Sequence, residues 1–398
     1  MPVISERADI SVSETDFPSF VNNSEDESSS ASDSGVGPHR AWRHCVYSVN
    51  QLNISNLFYK SAAAASAATK RNAKKKEIPG FRRLAESSFF FQAFRSEHYG
   101  IIKGGEGKLL FADGMGHTSV YDTASNSVHA MPMMTAPKGR LSLAFSIPRT
   151  EAHATSPAVC NSMNSNVNSE SFIYRWVKGA HPESLYILDM APRCPAPFEA
   201  LSFTSKGWVW RPVPTPPFFR VPRYKPRMDS CAVVDGNTIF VSPSGSQENG
   251  IGTYRFDTVT QEWDKAGDWV LPFFGRAENV SELGHWFGLS DCHPHHLCAV
   301  SSLDPPVVQH VWPDFDPPET WSLFDGCLVN LGSGRFCIVK FFRARDPSDY
   351  DAAGNIVAVF TGVEVVRRED DDQQARGGLK MIKHKSKCLT NLDIKHVL

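Results

Sequence analysis

No two cysteines in this chain are spaced as CxxC, although nine cysteines are present. They are scattered from Cys45 to Cys388. An odd, irregular set predicts reduced thiols in an intracellular protein, not a disulfide framework or a zinc ribbon. No apolar run approaches the roughly 20 residues that a membrane-crossing helix needs, so no membrane contact is expected. The first thirty residues also lack an apolar run and carry Glu6, Asp9, Glu14 and Asp16. That pattern predicts neither a secretory signal nor a transit peptide. The sequons at Asn22, Asn53 and Asn279 are therefore expected to stay unmodified, and the nucleus or cytoplasm is the expected location. An excess of charge of one sign is missing as well. The formal net charge is −2, which gives no global attraction to nucleic acid, so nucleic acid is not an expected partner.

Signatures of catalysis are absent in the same way. There is no GxSxG elbow and no GxGxxG after a strand. "KGGEGK" (Lys103 to Lys108) lacks the GxxxxGK[ST] spacing, and a strand-like "LLFAD" follows it where a helix should start. It reads as a hairpin turn. "CHPHHLC" (Cys292 to Cys298) collects three histidines between two thiols, but its spacing matches no usual structural zinc site. No catalytic residue, cofactor or metal is assigned, and the chain is not expected to be an enzyme.

What is abundant is aromatic: 26 Phe and 9 Trp, which favour strands. Residues 1 to 40 are the exception. Their core, "SEDESSSASDSGVG", is too polar to bury surface and predicts a disordered tail. Residues 41 to 84 form a second segment, apolar enough at "VYSVNQLNISNLFY" to dock on something. A short helix is expected at "SAAAASAATKRNAKKK". The basic end of that helix, Lys70, Arg71, Lys74, Lys75 and Lys76, is a candidate nuclear-import signal, or simply a soluble helix end whose cations suit the dipole.

From residue 85 to 398 the pattern is β: apolar runs of four to eight residues, bounded by Gly, Pro, Asn and Asp. Four runs end in aspartate, at Asp122, Asp189, Asp257 and Asp304. Each is followed within ten residues by a large side chain, namely Val128, Phe198, Trp263 and Trp312. The carboxylate can hold the reversing turn at the end of a third strand, and the large side chain can begin the outer strand. Units repeated at this length predict an all-β fold, a β-propeller of six blades. "LKMIKHKSK" (Leu379 to Lys387) alternates. A regular strand there places Lys380, Ile382, His384 and Ser386 on one face and Met381, Lys383 and Lys385 on the other.

Aromatics beside prolines mark "GWVWRPVPTPPFFRVPRYKPR", "GDWVLPFFGRA" and "DFDPPETW". Trp208, Trp210, Trp269, Phe273, Phe274 and Arg276 are the candidate partner-binding residues, because Trp, Phe and Arg anchor interfaces. The competing reading packs these aromatics between blades.

The strand ending Tyr-Asp with Trp six residues on resembles the kelch-type propeller, without its double glycine. "VYDTASNSVHAMP", "SLYILD", "GTYRFDTVTQEWDKAGDWVLPFFGRAENVSELGHWFGLS", "HVWPDFDPPETW" and "NLGSGRFCIVKFF" together resemble a grass-lineage, rice-type family of plant proteins of unknown function. The resemblance implies a plant cell and a kelch-like propeller, and it carries no activity, cofactor or catalytic residue across. Plant propellers of this kind often follow an F-box bundle, and no such segment is read here. The expected function is a non-catalytic, monomeric module that recognises an unidentified protein. A ubiquitin-ligase substrate receptor and a central-channel enzyme or small-ligand binder are the alternatives.

Overall fold

Short apolar runs punctuated by Gly, Asn and Asp become strands, and nearly every strand pairs with its neighbour in sequence. The computed structural model describes residues 9–15, 44–72, 78–80, 89–94, 100–103, 108–113, 115–122, 125–138, 142–148, 150, 153, 183–189, 196–204, 207–221, 228–245, 250–344, 355–368, 378–390 and 393–397. The strands β1 (Asp9–Thr15), β2 (His44–Leu52) and β3 (Phe89–Phe94) pair antiparallel. A second antiparallel sheet runs in chain order through β4 (Gly100–Lys103), β5 (Lys108–Ala112), β6 (Thr118–Asp122) and β7 (Ser127–Met131). A third follows the same plan with β8 (Ser142–Pro148), β9 (Glu183–Asp189), β10 (Phe198–Thr204) and β11 (Gly207–Pro212).

Two further meanders share one sheet. The first is β12 (Met228–Val234), β13 (Thr238–Pro243), β14 (Thr253–Asp257) and β15 (Glu262–Gly267). The second is β16 (Phe273–Val280), β17 (His285–Ser290), β18 (Leu297–Leu303) and β19 (Pro306–Trp312). Their first strands pair in parallel, Ser230 with Gly275 and Ala232 with Ala277. The last four-stranded sheet is β20 (Trp321–Gly332), β21 (Arg335–Ala344), β22 (Asn355–Arg367) and β23 (Leu379–Thr390). Finally β24 (Asp393–Val397) returns to β1 and completes the order β24-β1-β2-β3.

The fold is thus mostly β, built of several antiparallel sheets. The expected segment boundaries shift. Strands β1 and β2, read as tail and docking segment, are members of the β-fold, because β24 and β3 supply their ladder partners. The rest of the expected tail, "SEDESSSASDSGVG" included, lies outside the described residues.

"TYRFDTVTQEW" proves to be architecture. Asp257 Oδ1 accepts the N–H groups of Val259 (2.7 Å) and Thr260 (3.0 Å) and so holds the β14–β15 turn. Trp263 then packs with Phe256 (5.0 Å between centroids) and Phe198 (5.8 Å), filling the core between the β8–β11 and β12–β15 sheets. Phe198, Phe218 and Phe256 are fully buried there, and each such ring contributes about 1.5–3 kcal/mol. Two aspartates depart from the expected scheme. Asp189 ends the second strand of its sheet, not the third, so Phe198 opens an inner pairing. Trp312 ends β19 instead of beginning it.

The segment after β2 docks on the chain's own last sheet. Leu57, in a short 3-10 turn over Ile54–Leu57, is 1% exposed and packs with Val339, Phe360 and Leu389. Gly362 makes room: a Cβ there would stand 2.8 Å from the Leu57 carbonyl oxygen. Helix α1 (Ala62–Asn72) follows and lies on β23. Ser61 starts it, its hydroxyl accepting the Ala64 N–H (3.2 Å), and Ala65 is buried beneath it.

Opposite Gly362 the ladder slips. Thr361 pairs with Ser386 but Val363 pairs with Lys383, so β23 carries one extra residue. This bulge overturns the regular alternation. His384 turns to the docked segment and Lys385 joins it, its Nζ lying 4.7 Å over the Tyr59 ring. Lys383 stays with Met381 on the far face, over Phe315.

His384 latches the segment. The Tyr59 N–H donates to Nδ1 (3.1 Å), and Nε2 donates to Glu364 Oε2 (3.2 Å). The accepting Nδ1 requires the neutral ring. Burial lowers the His384 pKa, opposed by the Glu364 carboxylate and reinforced by Arg335 and Lys385. A depressed folded-state pKa means that the unfolded chain binds the proton first. Stability from the latch is present above the ordinary histidine value of about 6.5 and declines as pH falls below it. Urea midpoints measured between about pH 7.5 and 5 should fall on acidification. The fall should be smaller in His384→Phe; an equal fall in both proteins would assign it to other groups.

Candidate recognition surface

Three segments singled out for unrelated reasons, "GDWVLPFFGRA", "CHPHHLC" and "DFDPPETW", converge at one end of the β16–β19 and β20–β23 sheets. The β17–β18 turn is tied by backbone bonds, with Ser290 N–H donating to the His296 carbonyl (2.7 Å) and His295 N–H to that of Cys292 (2.8 Å). His295 adopts a left-handed φ of 55° and donates from Nδ1 to the Ser290 carbonyl (2.8 Å). Its ring stacks on Phe274 of β16 at 4.1 Å, with His293 5.7 Å away. Burial lowers the His295 pKa and favours the neutral ring.

Beneath this rim lies a buried charge cluster. Asp314, in the β19–β20 linker, accepts at Oδ1 from Lys340 Nζ (2.7 Å) and from His296 Nδ1 (3.1 Å). The Asp314 and Lys340 side chains are 0% and 2% exposed. Asp314 Oδ2 is buried and has no hydrogen-bond partner among the described residues. The arrangement clamps the linker onto β21, while Phe315 and Trp321 close on Phe342 at 5.6 and 5.5 Å.

Beside the rim, on β20, Phe324 is 47% exposed, with the Arg343 guanidinium 5.5 Å over its ring. Asp325 reaches solvent, yet the strands around it desolvate its carboxyl and raise its pKa. The Gly326 N–H (2.7 Å) and His295 oppose that rise. An aromatic, imidazole and carboxyl surface of this kind can stack and hydrogen-bond to a partner.

The six candidate residues scatter over this frame. Trp210 is 7% exposed and donates from Nε1 to Thr118 Oγ1 (3.3 Å), tying the β4–β7 and β8–β11 sheets, with Trp208 packed beside it. Phe273 is fully buried between β12 and β18 residues, and Trp269 stacks on Phe240 at 6.3 Å. Trp210 and Phe273 therefore serve packing and offer a partner no surface. Phe274 is half-buried on the rim. Arg276 is exposed, and its charge opposes the burial that pushes the Cys231 thiol up to about 11. Lys70 and Arg71 fall in the last turn of α1, whereas Lys74, Lys75 and Lys76 lie outside the described residues.

The thiols of "CHPHHLC" are separated. Cys298 is buried, which pushes its thiol up to about 12, and the exposed Cys292 is raised by its hydrogen bond and charge contact with Asp291. Neither is a ready nucleophile. Among the described residues, no three His, Cys, Asp or Glu side chains are grouped to hold a metal ion. No described helix is long and apolar enough to cross a membrane.

Sequence reasoning missed Lys340 and Phe324. A lysine inside the apolar run "RFCIVKFF" was the available signal for the first, since a charge in a buried strand must find a partner.

These features define a mostly-β protein of antiparallel sheets with an aromatic and histidine-rich surface at one end. Residues 36–389 match the family described as protein of unknown function (DUF1668), and the chain belongs to that family. No curated protein matches. Among solved structures, a protein from Lactobacillus plantarum is similar at 7% identity and a TM-score of 0.37, over 80% of this chain and 97% of that one. A protein of unknown function from Bacteroides thetaiotaomicron is similar at 9% identity and 0.34, over 87% and 95%. BamB from Moraxella catarrhalis is similar at 10% and 0.27, over 77% and 82%. Likeness this remote carries no function across.

Proposed function

We propose that the chain is a six-bladed, kelch-like β-propeller that acts as a non-catalytic protein-recognition module in the nucleus or cytoplasm of a plant cell. The strand order supports the propeller. Six four-stranded units follow one another, the first strands of two adjacent units, β12 and β16, run parallel, and β24 completes the unit that β1 begins. Radial repetition of this kind protects sheet edges. The observation that carries recognition is the exposed Phe324 beside Arg343, the Phe274–His295 stack and Asp325. A large exposed aromatic flanked by charge is a preferred anchor of an interface.

The test is proximity crosslinking from a photoreactive group at residue 322, in plant cells, with Phe324→Ala as control. Discrete protein adducts that weaken at least tenfold in the variant are expected, the loss typical of one anchor. Equal adducts in both proteins would remove this surface from the proposal.

A further inference from the structure

Among the described residues, the exposed methionines gather at one place. They are Met115, 42% exposed, and Met133, 55% exposed. Met115 lies in the β5–β6 turn and Met133 just after β7, at the same end of the β4–β7 sheet. Their neighbours Met131 and Met134 turn the other way and pack with Val120 and Trp210. Between Met115 and the start of β6 stands His117, its side chain 60% exposed.

Hydrogen bonds fix where these three side chains start. Asp113 Oδ1 accepts the N–H groups of Met115 and His117, each at 2.9 Å, and Oδ2 accepts from His117 Nδ1 at 2.9 Å. Met133 is tied on both sides. The Pro132 carbonyl accepts from Thr118 Oγ1 (2.6 Å), and the Met134 N–H donates to the Gly116 carbonyl (2.8 Å). By bond lengths alone, that second bond keeps the Cα atoms of His117 and Met133 within about 8 Å of each other. Gly116 sits at a φ of 90°, where a side chain would strain the turn.

We propose that Met115, His117 and Met133 bind one cuprous ion, through two thioether sulfurs and the His117 Nε2. With Nδ1–H given to Asp113, the ring offers Nε2 as its lone-pair nitrogen, and Nε2 has no bond among the described residues. A carboxylate on the far nitrogen is the support that orients most metal-binding histidines. Soft thioethers select Cu(I) over zinc, magnesium and calcium, and imidazole suits copper as well. Unbranched methionine side chains swing readily enough to meet on a shared ion. A grouping of three His, Cys, Asp or Glu is not needed, because two of the ligands are thioethers.

The experiment is NMR of the full chain carrying carbon-13 methionine methyl groups. Cu(I) is added without oxygen, under ascorbate, with its free concentration set by bicinchoninate. Met115→Ile and Met133→Ile assign the two methyl signals, and both signals should shift with one common midpoint. Loss of even an outer partner of a metal site costs about 10–100-fold, so each isoleucine variant, and His117→Gln, should raise the midpoint of the remaining signals by about tenfold or more. Urea midpoints without copper should stay unchanged. Methyl signals that do not move would overturn the proposal, and any copper taken up would then lie on the cysteines. Two midpoints that ignore each other's substitution would also overturn it, as would zinc that shifts both signals equally. None of these outcomes touches the crosslinks at Phe324, which lies on another sheet.

Discussion

Lys340→Met should lower the free energy of unfolding by about 4 kcal/mol, a large loss for one side chain at a strand centre. The cause is the carboxylate left behind. Among the described residues, buried Asp314 already has no partner on Oδ2 and would retain only His296 on Oδ1. The pair itself should add little beyond an apolar equivalent, because removing both ions from water costs about as much as their attraction returns. Lys340→Met with Asp314→Leu should therefore recover most of the loss. Urea unfolding of the three proteins checks it. A double variant as unstable as the single would mean that the pair is not the unit, and that the lysine stem packs in a way methionine cannot copy.

Leu57→Ala is the second large effect, about 3 kcal/mol, from lost burial and the cavity left between the docked segment and the last sheet. Its consequence reaches beyond stability. Leu57, the Tyr59–His384 bond and Ala65 hold the segment that precedes the basic run. Trypsin should cut at Lys70 and Arg71, at the end of α1, well before the sheets unfold. A cleavage rate equal to that of the intact protein would show that the helix is held by other contacts.

Local chemistry was the legible part. The turn at Asp257 could be read because a carboxylate bonding the N–H groups two and three residues on needs only its own neighbours. The hairpin of "NLGSGRF", closed by Gly332 and Gly334 at φ of 82° and 69°, passes in sequence for one continuous run, although its two glycines are a local turn signal. The four-strand rhythm followed from these turns. What the sequence withheld depends on distant pairing. Trp210 and Phe273 look like interface anchors until their facing sheets are in place. Lys385 changes face because β22 and β23 slip by one residue, and no local signal in "LKMIKHKSK" announces a bulge that Gly362 admits from another strand. Strand β1 resembles a tail because its partner, β24, is read some 380 residues later.

That last pairing sets an order of events. A chain emerging from the ribosome can close each of the middle sheets as its fourth strand appears, from contacts only tens of residues apart. The sheet that contains β1 cannot finish until β24 has been made, and it carries the largest loop-closure cost in the molecule. Until then β1, β2 and β3 have an open edge and wait in a state that another strand could capture. A stop codon placed just before Asp393 would remove five residues of strand from the end of the chain, and the damage would appear at its beginning.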